Sequence, residues 1–152
     1  MAAGFCSKIE LSLLPNNCLK IFDDGRGIKL DDDGVFHEEV LQNLFSGKPI
    51  TKLEYAHMGD LPFDDFKLVN SLCEKLKITV WRNGKIYEQD YIRGVPQHSV
   101  ISKTNDSKIT HGTQIVLKPD SSIFENTFFS GEKLLGWIRE NYSGLMDKVR
   151  ID

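Results

Sequence analysis

The sequence predicts an α+β fold, an antiparallel-rich sheet with helices on one side. Three observations carry that expectation. Two apolar–polar alternating runs near the start are joined by a short turn; a second alternating pair flanks Asn83-Gly84; helix-spaced segments lie between and after them. Runs of strands beside runs of helices are the mark of an α+β arrangement. The chain has 152 residues, 40% hydrophobic and 27% charged, the make-up of one folded domain spanning 1–152 rather than of a disordered tail.

The elements follow in order. Ile9-Glu10-Leu11-Ser12-Leu13 alternates as a half-buried strand does, Pro15-Asn16-Asn17 turns, and Cys18-Leu19-Lys20-Ile21-Phe22 returns, so 8–22 reads as a hairpin. Asp23-Asp24-Gly25-Arg26-Gly27-Ile28 is a tight polar turn, and 29–34 an acidic loop. Val35, Val40, Leu41, Leu44 and Phe45 fit a helix face that Gly47 stops. Residues 47–62 read as loop. Phe66, Val69, Leu72, Cys73 and Leu76 predict a helix over Phe63–Leu76, with Asp64 and Asp65 in its first turn, where the helix dipole favours negative charge. Ile78–Trp81 and Lys85–Ile92 flank Asn83-Gly84, a strong hairpin signal, and Gly94-Val95-Pro96 breaks the second strand. Ser99–Ser102 and Gly112–Leu117 predict two more strands. Leu134, Leu135 and Ile138 share one face of a helix over 132–141.

Composition excludes several functions. No apolar run approaches the ~20 residues that a membrane helix needs, and the first residues lack a secretory signal. A net charge of −3 gives no electrostatic reason for this chain alone to grip nucleic acid. Cys6, Cys18 and Cys73 cannot all pair with one another and lack zinc-ribbon spacing. An intracellular, reducing location fits them, whether cytoplasm, nucleoid, nucleus or organelle.

Asp23-Asp24-Gly25-Arg26-Gly27 is open to two readings. A carboxylate at a strand end can accept a hydrogen bond from an exocyclic amine such as adenine's, and glycines leave room for a flat ligand. Gly and Asp also make plain turns, which local chemistry alone favours. Asp31-Asp32-Asp33-Gly34 fails the calcium-loop pattern, since Val35, Phe36 and Gln42 fall at positions five, six and twelve. His37, His57, His98 and His111 lack helical metal-site spacing, so no metal site is assigned. Gly59-Asp60-Leu61-Pro62 could hold a phosphate at a helix start, but Asp60, Asp64 and Asp65 repel one.

In order, the motifs resemble a known family. A strand enters Asp-Asp-Gly-Arg-Gly-Ile; a helix carries Leu68-Val69-Asn70-Ser71-Leu72; a hairpin runs from Val80-Trp81-Arg82-Asn83-Gly84 to Arg93-Gly94-Val95-Pro96; Gly112-Thr113 leads to Pro119-Asp120 and Ile123-Phe124. This resembles the N-terminal ATPase domain of DNA gyrase B subunits, of the Bergerat (GHKL) type, over residues 3–152. The resemblance implies a mixed sheet with helices on one face. It also implies an adenine pocket, with Asp23 holding the amino group and Arg26, Gly27 and Ile28 as wall and floor. Thr113 would reach the ring through water, Arg82 would stand at the mouth, and Asn70 would lie behind the site.

Departures from the family set the functional expectation. The family's first helix, with its water-activating glutamate and Mg²⁺-holding asparagine, would precede this chain's start, so no catalytic residue is assigned. Of the glycine-rich phosphate lid only Gly59 and Leu61 remain, beside Pro62 and added carboxylates. The resemblance then implies a degenerate domain that binds ATP or ADP weakly, is indifferent to Mg²⁺ and does not hydrolyse ATP alone. One alternative is an interaction module without nucleotide. Its protein partner, or a second copy, would cover apolar surface near Ile9, Leu11 and Ile21. Another is a genuine type II topoisomerase ATPase domain completed by another segment, meeting DNA only through that complex. No membrane contact is expected.

Overall fold

A computed structural model describes residues 6–28 and 69–152. Among the described residues the strands are β1 (Ile9–Leu14), β2 (Cys18–Asp23), β3 (Cys73–Arg82), β4 (Lys85–Ile92), β5 (Val95–Pro96), β6 (Ile101–Thr104), β7 (Gly112–Pro119) and β8 (Val149–Ile151), and helix α1 spans Gly131–Asn141. They form one sheet in the order β5-β4-β3-β7-β2-β1-β8, and β6 also pairs with β4. Every pairing is antiparallel except that of β1 with β8.

The register sorts side chains onto two faces, because neighbours on a strand point to opposite sides. One face carries Leu11 and Leu19, then Leu117, then Leu76, Ile78 and Val80, then Tyr87 and Tyr91, all buried. Ile138 of α1 joins this cluster, and Leu134, Met146, Val149 and Ile151 pack against it. The other face is largely charged: Lys77 and Lys103 both pair with Glu88, and Lys118 pairs with Glu74. The described helix therefore lies on one face of an open sheet, as expected.

The turns form for local reasons. Asn83 and Gly84 take φ of 53° and 71°, the left-handed pair that a two-residue hairpin requires. Pro15–Asn17 is a 3₁₀ turn with Asn16 and Asn17 at positive φ, which asparagine tolerates. Ser130 caps α1 by accepting from the Lys133 amide at 3.4 Å.

Three expectations are corrected and one element is new. The helix over Phe63–Leu76 ends early: 69–71 are helical, but Cys73 already begins β3. A register shift between Cys73 and Lys75 inserts an extra residue. Cys73 and Leu76 thus both reach the core at a spacing of three, which imitates helical periodicity. The strand expected at Ser99–Ser102 starts at Ile101, because bends occupy 97–99. Strand β8 has no counterpart among the expected elements; three residues are too few to show alternation. Nor is the surface near Ile9, Leu11 and Ile21 open: Leu11 is 7% exposed, and Ile9 and Ile21 are half-buried against the core. Val149 and Ile151 of β8 stand beside Ile9 and Leu11 there. The expected helix over 35–45 and the loops at 29–34 and 47–62 lie outside the described residues.

Candidate functional site

The end of β2 places Asp23 opposite Thr113 of β7, and Thr113 opposite Val80 of β3. All three point to the core face, with Cβ atoms of such cross-strand pairs ~5 Å apart. Thr113 and Val80 are buried and Asp23 is half-buried. The sequence-predicted pair is therefore brought together from strands ninety positions apart in the chain.

Asp23 Oδ1 accepts the Gly25 amide at 2.8 Å. Its Oδ2 has no hydrogen-bond partner among the described residues. Burial raises the Asp23 pKa above its ordinary value, the Gly25 N–H opposes that, and the neighbouring Asp24 charge adds to it. Asp24 has another task. Its carboxylate accepts from the Ser7 and Lys8 amides, both at 2.8 Å, and from the Ser7 hydroxyl. Burial opposes its charge, yet these donors outweigh burial and hold it below the usual carboxylate range.

Gly27 and Gly112 let the loop after β2 lie close to the sheet. At Gly27 (φ +73°) a Cβ would lie 2.8 Å from the Trp81 carbonyl oxygen and 3.0 Å from Val80 Cγ1. At Gly112 it would lie 2.4 Å from the Asp23 carbonyl oxygen. These positions lack side chains so that the loop after β2 can lie directly on β3 and β7. A side chain at either position would meet this chain's own backbone.

Arg82 also has an observed task. Its Nη1 donates to the carbonyls of Arg26 at 3.1 Å and Gly27 at 2.8 Å, tying the loop to the end of β3. Ile28 packs against the core, and Arg26 is exposed. Asn70 is buried; its Nδ2 reaches the Gly94 carbonyl at 3.5 Å, and its Oδ1 is unpartnered. Gly59 and Leu61 lie outside the described residues.

Two contacts had no sequence signal. His111 Nδ1 lies 2.8 Å from the Gly25 carbonyl, a pairing across 86 positions that no local pattern can show. Arg93 Nε donates at 2.6 Å to buried Asp120, which also accepts from the Ser122 amide and hydroxyl. The Arg93 and Ser122 donors hold the Asp120 carboxyl well below the usual range. This cluster staples β4 to the end of β7, away from Asp23.

A carboxylate oxygen can accept a hydrogen bond from an exocyclic amine such as adenine's. Among the described residues no group of three or more His, Cys, Asp or Glu could hold a metal ion. The three cysteines are free, and burial pushes the Cys73 thiol up to about 11. No described helix is long and apolar enough to cross a membrane.

The chain matches no family profile. It is 36% identical over 154 aligned positions to the B subunit of DNA gyrase from Borrelia hermsii, covering 98% of this chain and 24% of that protein. It is 34% identical over 155 positions to the B subunit of DNA topoisomerase 4 from Rickettsia typhi, covering 99% and 23%. The chain thus spans about a quarter of the length of these curated relatives. In fold it matches the 43K ATPase domain of Thermus thermophilus gyrase B, solved with an aminocoumarin. The TM-score is 0.73 at 23% identity, covering 99% of this chain and 38% of that one. By sequence and by fold, this chain matches the Bergerat-type ATPase domain of the B subunits of DNA gyrase and topoisomerase IV.

Proposed function

We propose that this chain supplies the adenine-binding part of an ATPase domain in a type II topoisomerase, completed by other segments. The observation that carries this is Asp23 beside Thr113 on neighbouring strands, with Asp23 Oδ1 engaged by Gly25. In this reading the exocyclic amine donates to Asp23 Oδ2, and the Thr113 hydroxyl reaches the ring through water. Ile28 gives the apolar floor, and Arg82 holds the loop of Arg26 and Gly27 that forms the wall. The chain's own residues bind and orient the base. Bound ATP would supply the triphosphate chemistry, and DNA would be met only through the rest of the complex. The likeness to the B subunits of gyrase and topoisomerase IV supports hydrolysis by the completed domain.

A second reading, binding without turnover, is favoured by the stretch Gly59-Asp60-Leu61-Pro62-Phe63-Asp64-Asp65. Proline offers no N–H, and carboxylates oppose a triphosphate. Nucleotide binding would then be weak and indifferent to Mg²⁺. The interaction-module alternative loses support because Leu11, part of its docking face, is buried.

Titration calorimetry with ATP, ADP and adenosine tests the shared part. Asp23→Ala should weaken ADP binding by ~10–100-fold, the range for losing a hydrogen bond to a charged group. Equal binding by the variant overturns the assignment. Phosphate release from ATP, with and without Mg²⁺ and a supplied N-terminal segment, separates the two readings: turnover supports the first, and its absence beside weak, Mg²⁺-indifferent ADP binding the second.

A further inference from the structure

We infer that His111 is a positioning residue for the adenine-recognising carboxylate, an inference that rests on the nucleotide reading above. A backbone carbonyl can only accept, so the 2.8 Å contact with Gly25 requires a proton on His111 Nδ1. That N–H holds the Gly25 carbonyl from just before β7. The amide of the same glycine donates to Asp23 Oδ1 at 2.8 Å. Gly25 is buried and has no Cβ to limit its backbone, so an unheld Gly25 could rotate and release the carboxylate. With both ends of Gly25 fixed, Oδ1 is committed and Oδ2 keeps one direction. Arg82 does the same for the next two carbonyls, at Arg26 and Gly27. Three successive carbonyls of the loop are thus gripped by side chains from β3 and from the residue just before β7. His111 also lies two residues from Thr113, so one strand start sets both members of the recognition pair.

Positioning of this kind affects which base is accepted. Adenine presents an amine donor to a fixed carboxylate oxygen, whereas hypoxanthine presents a carbonyl that the carboxylate rejects. A carboxylate free to swing loses part of that discrimination.

The test compares wild type, His111→Ala and His111→Asn, whose side-chain amide can supply an N–H near the place of Nδ1. Hydrogen exchange at the Gly25 amide should quicken in His111→Ala. ADP affinity should fall by about three- to tenfold, the range for one net hydrogen bond, and the preference for ADP over IDP should shrink. His111→Asn should restore protection and preference. Unchanged Gly25 exchange in His111→Ala overturns the inference, whatever binds. So does lost protection with an unchanged ADP-to-IDP ratio. If wild type binds no ADP, the nucleotide reading is what fails; faster Gly25 exchange in His111→Ala would still support the grip on the loop.

Discussion

Asp23 is a residue whose burial works against folding and for recognition. Burial raises its pKa, so the folded chain holds the Asp23 proton more tightly than the unfolded one does. By linkage the ionised carboxylate destabilises the fold at neutral pH, and that penalty shrinks as pH falls through the raised value. Asp23→Asn keeps an oxygen for the Gly25 amide and removes the charge. Its thermal midpoint should rise above wild type at pH 7, and the difference should narrow toward pH 4, while ADP binding is lost. A lower midpoint at pH 7 with normal ADP binding would sink this account. Asp24 next door runs the other way: its depressed pKa adds stability that disappears as pH drops below the ordinary value of about 4. The Asp23 turn with Gly27 is legible in the sequence because a carboxylate and glycines after an alternating run are a local pattern, whereas Thr113 is singled out by the resemblance. His111 is not legible, because its partner is set by strand register.

At the scale of elements, β3 shows how packing overrides a periodic signal. Cys73 and Leu76 are spaced as on a helix, but the bulge between them sends both to the core side of a strand. Leu76 is 2% exposed between Leu117 and Tyr91, so Leu76→Ala should cost ~2–5 kcal/mol of folding stability. Lys75→Ala, on an exposed side chain of the same strand, should stay within about 0.5 kcal/mol. Urea denaturation of the two variants checks this, and equal losses would contradict the strand register. The hairpin at Asn83-Gly84 and helix α1 match expectation because their signals are local: a left-handed turn pair in one, a capped apolar stripe in the other.

The described residues build a sheet with one apolar face, bordered at one side by β8 lying parallel to β1. Asp152 fastens this arrangement through its amide to the Leu11 carbonyl at 2.8 Å, and the Leu13 amide donates to the Asp152 carbonyl at 2.9 Å. Removing residues 149–152 should leave β1 as a bare edge beside Leu11 and Leu13. The shortened chain should self-associate, read as increased light scattering at constant concentration. A monomeric, equally stable product would show that β8 is dispensable. By itself the sequence determined the α+β class, both hairpins, helix α1 and the place of the Asp23 turn, because each is written in neighbouring residues through alternation, turn chemistry or capping. Only the tertiary structure decided that Cys73 starts a strand, that β8 guards the edge and that His111 and Arg82 grip the loop. Those outcomes depend on which distant strands meet, and in what register, when the apolar face is buried.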